Sequence, residues 1–332
     1  FTLEASKIIL ASGSRCPDKE KLFPSVSGLL TTDEALELED LPRSLLLVGG
    51  EPSGLELAFI YAELGCEVTV AEMFSQLLPG EDSEIASLLE FSLAQRGLKI
   101  LTGAKLASLA NKNGKVKAVF EDGRAVEAEK VLLAFGRKAN VEGLGLEKVG
   151  VEVVGGKVQV DAYQQTRVPE IFAVGDVTGG LYAHTALLEG ETAAENALGR
   201  RVKAERRVVP RCIFTMPEVA AVGLTEEQAK GEGFKVAVGR FPYLFNGRAL
   251  TRGETQGLVK VVADLQTGRL LGIHIFGAEA SELIAEATLA LKMGCRVEDL
   301  ASTIHAHPTL SEALREAALE IQGKKLHKPR RG

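Results

Sequence analysis

The chain has 332 residues, with 39 Lys plus Arg against 45 Asp plus Glu, a formal charge of −6, 45% hydrophobic residues and 25% charged ones. This is globular composition with length for two or three domains, and its mild acidity argues against nucleic acid or an anionic membrane as the main partner. No apolar run approaches the ~18–20 residues of a membrane span, and no secretory signal opens the chain, so the cytoplasm is the expected compartment. Cys16, Cys66, Cys212 and Cys295 lie far apart without a CxxC pair, which speaks against a disulfide scaffold or a zinc site. Phe1 is not a start methionine, so the natural N-terminus is expected upstream.

Residues 6–11 (SKIILA) form an apolar run ending in Ser12-Gly13-Ser14 and read as a buried strand. Residues 41–48 predict a second strand with Pro42 at its edge. Residues 53–64 carry a helical apolar stripe (Leu55, Ala58, Phe59, Ala62) stopped by Gly65. A strand over 67–71 follows, then a helix capped by Ser83 and ended by Gly97. This alternation predicts a parallel, doubly wound α/β sheet of Rossmann type.

From 105 to 135, Asn113-Gly114 and Asp122-Gly123 separate alternating strands, the signature of an antiparallel meander. Strand character resumes over 157–174, ending in IFAVGD, and a helix follows over 183–198. The charged stretch 200–207 reads as a linker. Residues 213–275 are strand-rich with a turn at Thr267-Gly268, and helices over 280–293 and 310–321 close an α+β region. The basic tail 323–332 is expected to lack regular structure; an RNA-binding arm is the less favoured reading.

Two constellations carry chemistry. The strand over 44–48 runs into Gly49-Gly50-Glu51-Pro52-Ser53-Gly54 and a helix, the setting of the GxGxxG dinucleotide fingerprint. Gly49 and Gly54 fill the first and third glycine positions. Glu51 fills the second, where a side chain crowds a pyrophosphate and a carboxylate repels it. Glu72, eighteen residues after Gly54, stands where an acid binds a ribose 2′-hydroxyl, which favours NAD over NADP. The plain alternative is a strand–turn–helix corner with glycines for packing alone. The second constellation is His305-Ala306-His307-Pro308-Thr309-Leu310-Ser311-Glu312. It reads either as a Thr309-x-x-Glu312 capping box with a surface His307, or as a proton-transfer pair in which Glu312 orients one nitrogen of His307 and leaves the other for chemistry.

In order along nearly the whole chain, the segments ASGS at 11–14, 29–50, GLELA at 54–58, EVTVAE at 67–72, AFGRKAN at 134–140, VPEIFAVGDVTGG at 168–180 and HAHPTLSEALREAAL at 305–319 resemble the dihydrolipoamide dehydrogenase family of flavoprotein disulfide reductases. The resemblance implies FAD and NAD as cofactors and divides the chain: 1–35 as the end of a first FAD segment, 36–154 as the NAD domain, 155–203 as a second FAD segment, 204–322 as a dimerisation domain and 323–332 as the tail. It assigns Asp176 to the flavin ribityl chain, with Gly13 in the matching ASGS turn. Leu181, Tyr182, Ala183 and His184 become the helix start at the flavin ring. Glu56, an exposed helix residue by periodicity alone, becomes the glutamate beside flavin and nicotinamide. Gly136 and Arg137 line the NAD pocket, with Ala139 where the family usually has proline. Gly49, Gly50, Ser53, Gly54 and Glu72 hold NAD, and His307 with Glu312 becomes the catalytic base and its partner, reaching the other subunit of a homodimer. His305 has at most a supporting role.

The family also opens with a glycine-rich FAD unit and a Cys-x4-Cys redox disulfide, and neither motif occurs in these 332 residues. In the complete enzyme, dihydrolipoamide would be oxidised through the disulfide and FAD, with NAD reduced; the chain alone is expected to be inactive. The partners implied are a second copy and a lipoyl-bearing acyltransferase or carrier protein of a 2-oxo acid dehydrogenase or glycine-cleavage complex. The alternatives are a non-catalytic NAD-binding and dimerisation module, or a relative of glutathione or mercuric reductase. Glu72 disfavours the first of these reductases, and the missing C-terminal cysteine pair disfavours the second.

Overall fold

A computed structural model describes residues 2–180 and 182–327. They divide into two compact units: the segment ending at Asp18 with Phe135–Arg207, and Lys19–Ala134 with the segment from Val208.

In the first unit, the strand Ile8–Leu10 pairs in parallel with Ile171–Ala173, and Ser14–Arg15 pairs antiparallel with Lys138–Ala139. The strand expected to be buried is not: Ile8 and Ile9 are 48% and 39% exposed, because among the described residues the strand has one neighbour. The strand expected over 157–174 breaks into Lys157–Val158 and Ile171–Ala173. Between them, Asp161 accepts the Tyr163 and Gln165 N–H groups, Gln164 takes φ +61°, and Pro169 offers no N–H to a ladder. The helix Ala183–Ala197 stands as predicted, within one residue.

The second unit is built on a parallel sheet in the order Leu29–Thr31, Lys130–Leu133, Ser44–Val48, Glu67–Ala71, Lys99–Leu101. Leu45, Leu46 and Leu47 are each at most 1% exposed, as a strand covered on both faces requires. The helices Pro52–Glu63 and Ser83–Gln95 follow their strands, and Asp82 rather than Ser83 caps the second. The meander is real, with Asn113 and Gly114 both at positive φ in the manner of a type I′ turn. It ends at Ala128, however. The strand Lys130–Leu133, all but its first residue buried, enters the parallel sheet between Leu29–Thr31 and Ser44–Val48. This pairing places residues 19–35 in the second unit, outside the first FAD segment expected for them, while 135–154 fall in the first unit.

The same unit contains a five-stranded antiparallel sheet, Arg211–Ile213, Glu218–Gly223, Leu270–Gly277, Leu258–Asp264, Val236–Pro242. The helices Ala280–Met293 and Glu312–Ile321 pack on it, the second starting two residues later than predicted. The described tail residues 324–327 carry no helix or strand, and Glu316, 3% exposed, takes the His327 imidazole at 2.8 Å. Residues 328–332 of the expected tail lie outside the described residues.

Candidate active site

The glycine turn follows from packing. Gly49 has φ +107°, and a Cβ there would sit 2.2 Å from the Ala134 carbonyl oxygen. A Cβ on Gly54 would meet Ala134 Cβ at 2.7 Å and Leu47 Cδ1 at 2.9 Å, so helix and strand approach as the fingerprint demands. Pro52 fills the first turn, where a missing N–H costs nothing, and no side chain caps the helix start. These features fit a dinucleotide; Glu51 is the departure. It is the N-cap residue with extended backbone, its side chain makes no capping bond, and its carboxyl is pushed up by loss of water and then by Glu72.

Glu72 is 2% exposed, with Oε2 accepting Gly50 N–H at 2.5 Å and Oε1 accepting Phe74 N–H at 2.8 Å. The acid expected at a ribose therefore also braces the glycine turn, and a Cβ on Gly50 would lie 3.0 Å from it. Glu56 is half-buried rather than exposed: Oε1 accepts Phe214 N–H at 2.9 Å. Burial pushes its carboxyl up, more than the Phe214 N–H draws it down.

In the first unit, Asp176 Oδ2 accepts the Ser14 hydroxyl at 2.5 Å, Ser14 Oγ accepts Arg137 Nε at 2.9 Å, and Arg137 Nη2 donates to the Ser14 carbonyl at 3.1 Å. Arg137, expected at the NAD pocket, is thus tied to Ser14 in the unit that carries Asp176. Gly136 precedes it at φ +76°. Gly13 sits in open space at φ +68°, so backbone conformation is what selects glycine there. Tyr182 and His184 stack at 5.3 Å around the start of the helix Ala183–Ala197, which no side chain caps. Leu181 lies outside the described residues. Sequence reasoning missed Glu189: fully buried, it accepts Gly175 N–H at 2.6 Å and faces Arg206 at 3.0 Å. An acid among apolar helix positions is the signal that could have found it. The Ser14-linked carboxylate and the uncapped helix start fit a flavin's ribityl chain and ring edge.

His307 Nδ1 lies 2.9 Å from Glu312 Oε1, and Glu312 Oε2 accepts Thr309 N–H at 2.8 Å. The capping reading is half right: the Thr309 hydroxyl donates to the Ala306 carbonyl at 2.6 Å instead of accepting from the helix. Glu312 therefore serves both readings, one oxygen for the backbone and one for the imidazole. Burial pushes its carboxyl up, but Thr309 N–H and His307 together hold it below the usual carboxylate range. The His307 side chain is 71% exposed, and with Nδ1 on the carboxylate, Nε2 remains for proton transfer. His305 differs. Its side chain is 5% exposed, with Nε2 on Glu286 at 2.8 Å and Nδ1 on the Thr303 carbonyl at 3.1 Å, so both nitrogens are occupied. Glu286 is the main cause of its raised basicity.

Residues 1–197 match the family described as pyridine nucleotide-disulphide oxidoreductase, and residues 209–318 match the dimerisation domain of that name. The dihydrolipoyl dehydrogenase of Thermus scotoductus is 45% identical over 98% of this chain and 72% of the relative. That of Bacillus subtilis is 41% identical over 97% and 69%. Among solved structures, LpdA from Mycobacterium tuberculosis superposes with a TM-score of 0.87 at 33% identity, covering 96% of this chain and 70% of that one. The flavoprotein disulfide reductase RclA from Escherichia coli gives 0.86 at 28% identity, covering 94% and 73%.

Proposed function

The chain belongs to the pyridine nucleotide-disulphide oxidoreductase family, and from that premise we propose that it serves a dihydrolipoyl dehydrogenase, oxidising dihydrolipoamide with NAD as final acceptor. The observation that carries the reading is the His307–Glu312 pair at 2.9 Å in a chain 45% identical to such an enzyme. FAD and NAD, when bound, supply the electron transfer itself. The chain's own residues do the rest. Gly49 and Gly54 let strand, turn and helix close around a pyrophosphate, and Glu72 holds that turn through Gly50 N–H. Asp176, steadied by Ser14, offers a carboxylate to the flavin's ribityl hydroxyls. Glu56, on the helix Pro52–Glu63, would offer its carboxyl to the nicotinamide.

His307 acts as the base. Its Nδ1–H donates to Glu312, which fixes the ring tautomer, and Nε2 accepts the thiol proton of dihydrolipoamide, so that sulfur attacks as thiolate. A carboxylate held ionised by a backbone N–H keeps this orientation through the cycle. The dimerisation domain supports a homodimer as the working unit. The lipoyl group would come on an acyltransferase or carrier protein of a multienzyme complex. Among the described residues no disulfide links Cys16, Cys66, Cys212 and Cys295, so in this reading the acceptor disulfide lies in the family's Cys-x4-Cys segment.

The test is NAD reduction by dihydrolipoamide with FAD added, by this chain alone and with that segment supplied as a second polypeptide. Turnover is expected with the segment and not without it, and His307→Gln is expected to lower it by about 10²–10⁴-fold. Turnover indifferent to His307 would overturn the assignment.

A further inference from the structure

Glu51 stands where a dinucleotide fold places its second glycine, the position at which backbone meets pyrophosphate. The carboxyl is anchored by no capping bond, although the N-cap position invites one. The turn beneath it is already anionic through Glu72, whose carboxylate holds Gly50 N–H at 2.5 Å. Two carboxylates therefore flank the helix start that would receive two phosphate charges. Glu72 cannot withdraw without leaving the buried Gly50 N–H unsatisfied and Phe74 N–H without its acceptor. Glu51, exposed and untethered, can change charge at little structural cost.

We propose that Glu51 makes nucleotide binding at this turn proton-linked: the pyrophosphate of NAD is accepted when the Glu51 carboxyl is neutral and repelled when it is ionised. This rests on reading the turn as the NAD site and adds a specificity-determining residue to it. The charged group facing Glu51 within its unit is Glu72, at the end of the neighbouring strand. Segment 73–78, which packs on the turn through Leu77 and donates Leu78 N–H to the Gly50 carbonyl, carries no ionisable side chain, and neither do Leu133 and Ala134. Loss of water and the Glu72 charge both push the Glu51 carboxyl above its ordinary value, so its titration begins nearer neutrality than that of a free glutamate. A bound pyrophosphate adds to the push in the same direction, and binding takes up a proton.

The experiment is calorimetric titration of the 332-residue chain with NAD at several pH values, in buffers of different ionisation enthalpy. A single linked proton changes affinity by at most about tenfold per pH unit. We expect NAD to bind at least about fivefold tighter near pH 6 than near pH 8, with net proton uptake. Glu51→Gln, which keeps the shape and removes the charge, should bind at near pH 8 as tightly as the native chain does in acid, and without pH dependence. Glu51→Gly should behave likewise, and circular dichroism checks that both variants fold. NAD binding that is flat with pH in the native chain overturns the proposal while leaving the NAD site intact. So does a slope that survives in Glu51→Gln, which would assign the proton to a group other than Glu51. No NAD binding by any variant at any pH would overturn the reading of the turn itself.

Discussion

The Lys260 ammonium lies 2.8 Å from Asp82 Oδ2, and the two side chains are 3% and 1% exposed. Asp82 caps the helix Ser83–Gln95 through Glu84 and Ile85 N–H, while Lys260 stands on the strand Leu258–Asp264. Glu84 and Glu226 lie at 3.3 and 3.0 Å from the ammonium and are themselves held by Arg240 at 2.7 and 3.2 Å. One carboxylate therefore joins a helix of the parallel sheet to the antiparallel sheet. Asp82→Ala removes a cap and the buried carboxylate of this set but leaves Lys260 with Glu84 and Glu226, and should cost about 1–3 kcal/mol in urea unfolding. Lys260→Met keeps the volume but leaves the Asp82 carboxylate buried without its cation, and should cost more, about 3–5 kcal/mol. Equal losses would mean that packing alone joins the sheets.

The same cluster shapes the acid limb of stability. Glu226 is held down to about 2, first by Lys230 and then by Lys260, against an ordinary value of 4.5. A lowered carboxyl stabilises the fold above its unfolded value, and that contribution disappears as pH falls from 4.5 toward about 2. Lys260 is raised: burial opposes its charge, but Asp82 and Glu226 outweigh burial. Its contribution is complete below 10.5 and is lost only as pH rises through the higher folded value. Glu226→Gln should lower Tm at neutral pH and flatten its fall in acid, a loss of at most about 3 kcal/mol. A Tm–pH profile parallel to that of the native chain would contradict this.

The glycines of the turn should rank by what a methyl group would meet. Gly49→Ala drives a Cβ to 2.2 Å from a backbone oxygen at φ +107°, and Gly54→Ala meets two side-chain carbons at 2.7 and 2.9 Å. Gly49→Ala should destabilise by more than about 3 kcal/mol and Gly54→Ala by about 1–3 kcal/mol. Gly13→Ala, in open space, should lose only the cost of its positive φ, about 1 kcal/mol. Thermal unfolding of the three variants gives the order directly.

Glu312 and His307 should separate in stability measurements, because only one of them holds the backbone. Glu312→Ala leaves Thr309 N–H without its acceptor and should cost about 1–2 kcal/mol. His307→Gln, at an exposed position, should stay within about 0.5 kcal/mol of the native chain. A large loss on His307→Gln would make the pair a structural feature first.

Much of the site was legible because it rests on local rules. The fingerprint glycines, Pro52 at the helix start and the Asn113-Gly114 turn each follow from what backbone geometry permits at neighbouring residues. The His307-Pro308-Thr309 sequence with Glu312 three residues on already placed imidazole and carboxylate near one another. What escaped depends on distant segments. Residues 130–133 read as the last strand of a meander, yet they fill a gap in the parallel sheet, which no nearby residue records. Glu189, Glu286 and Glu316 looked like ordinary helix glutamates until Gly175, His305 and His327 were brought to them.

The order of residues alone determined the alternation of strands and helices, the glycine turn with its unusual Glu51, and the proximity of His307 to Glu312, since spacing within a few residues limits where side chains reach. Only the tertiary structure decided which groups those carboxylates serve: Glu72 on Gly50 N–H, Glu56 on Phe214 N–H, Asp82 on Lys260, Asp176 on Ser14. A buried charge must find its partner across the fold, and chain closure between residues 22 to 178 positions apart is a property of packing rather than of local sequence.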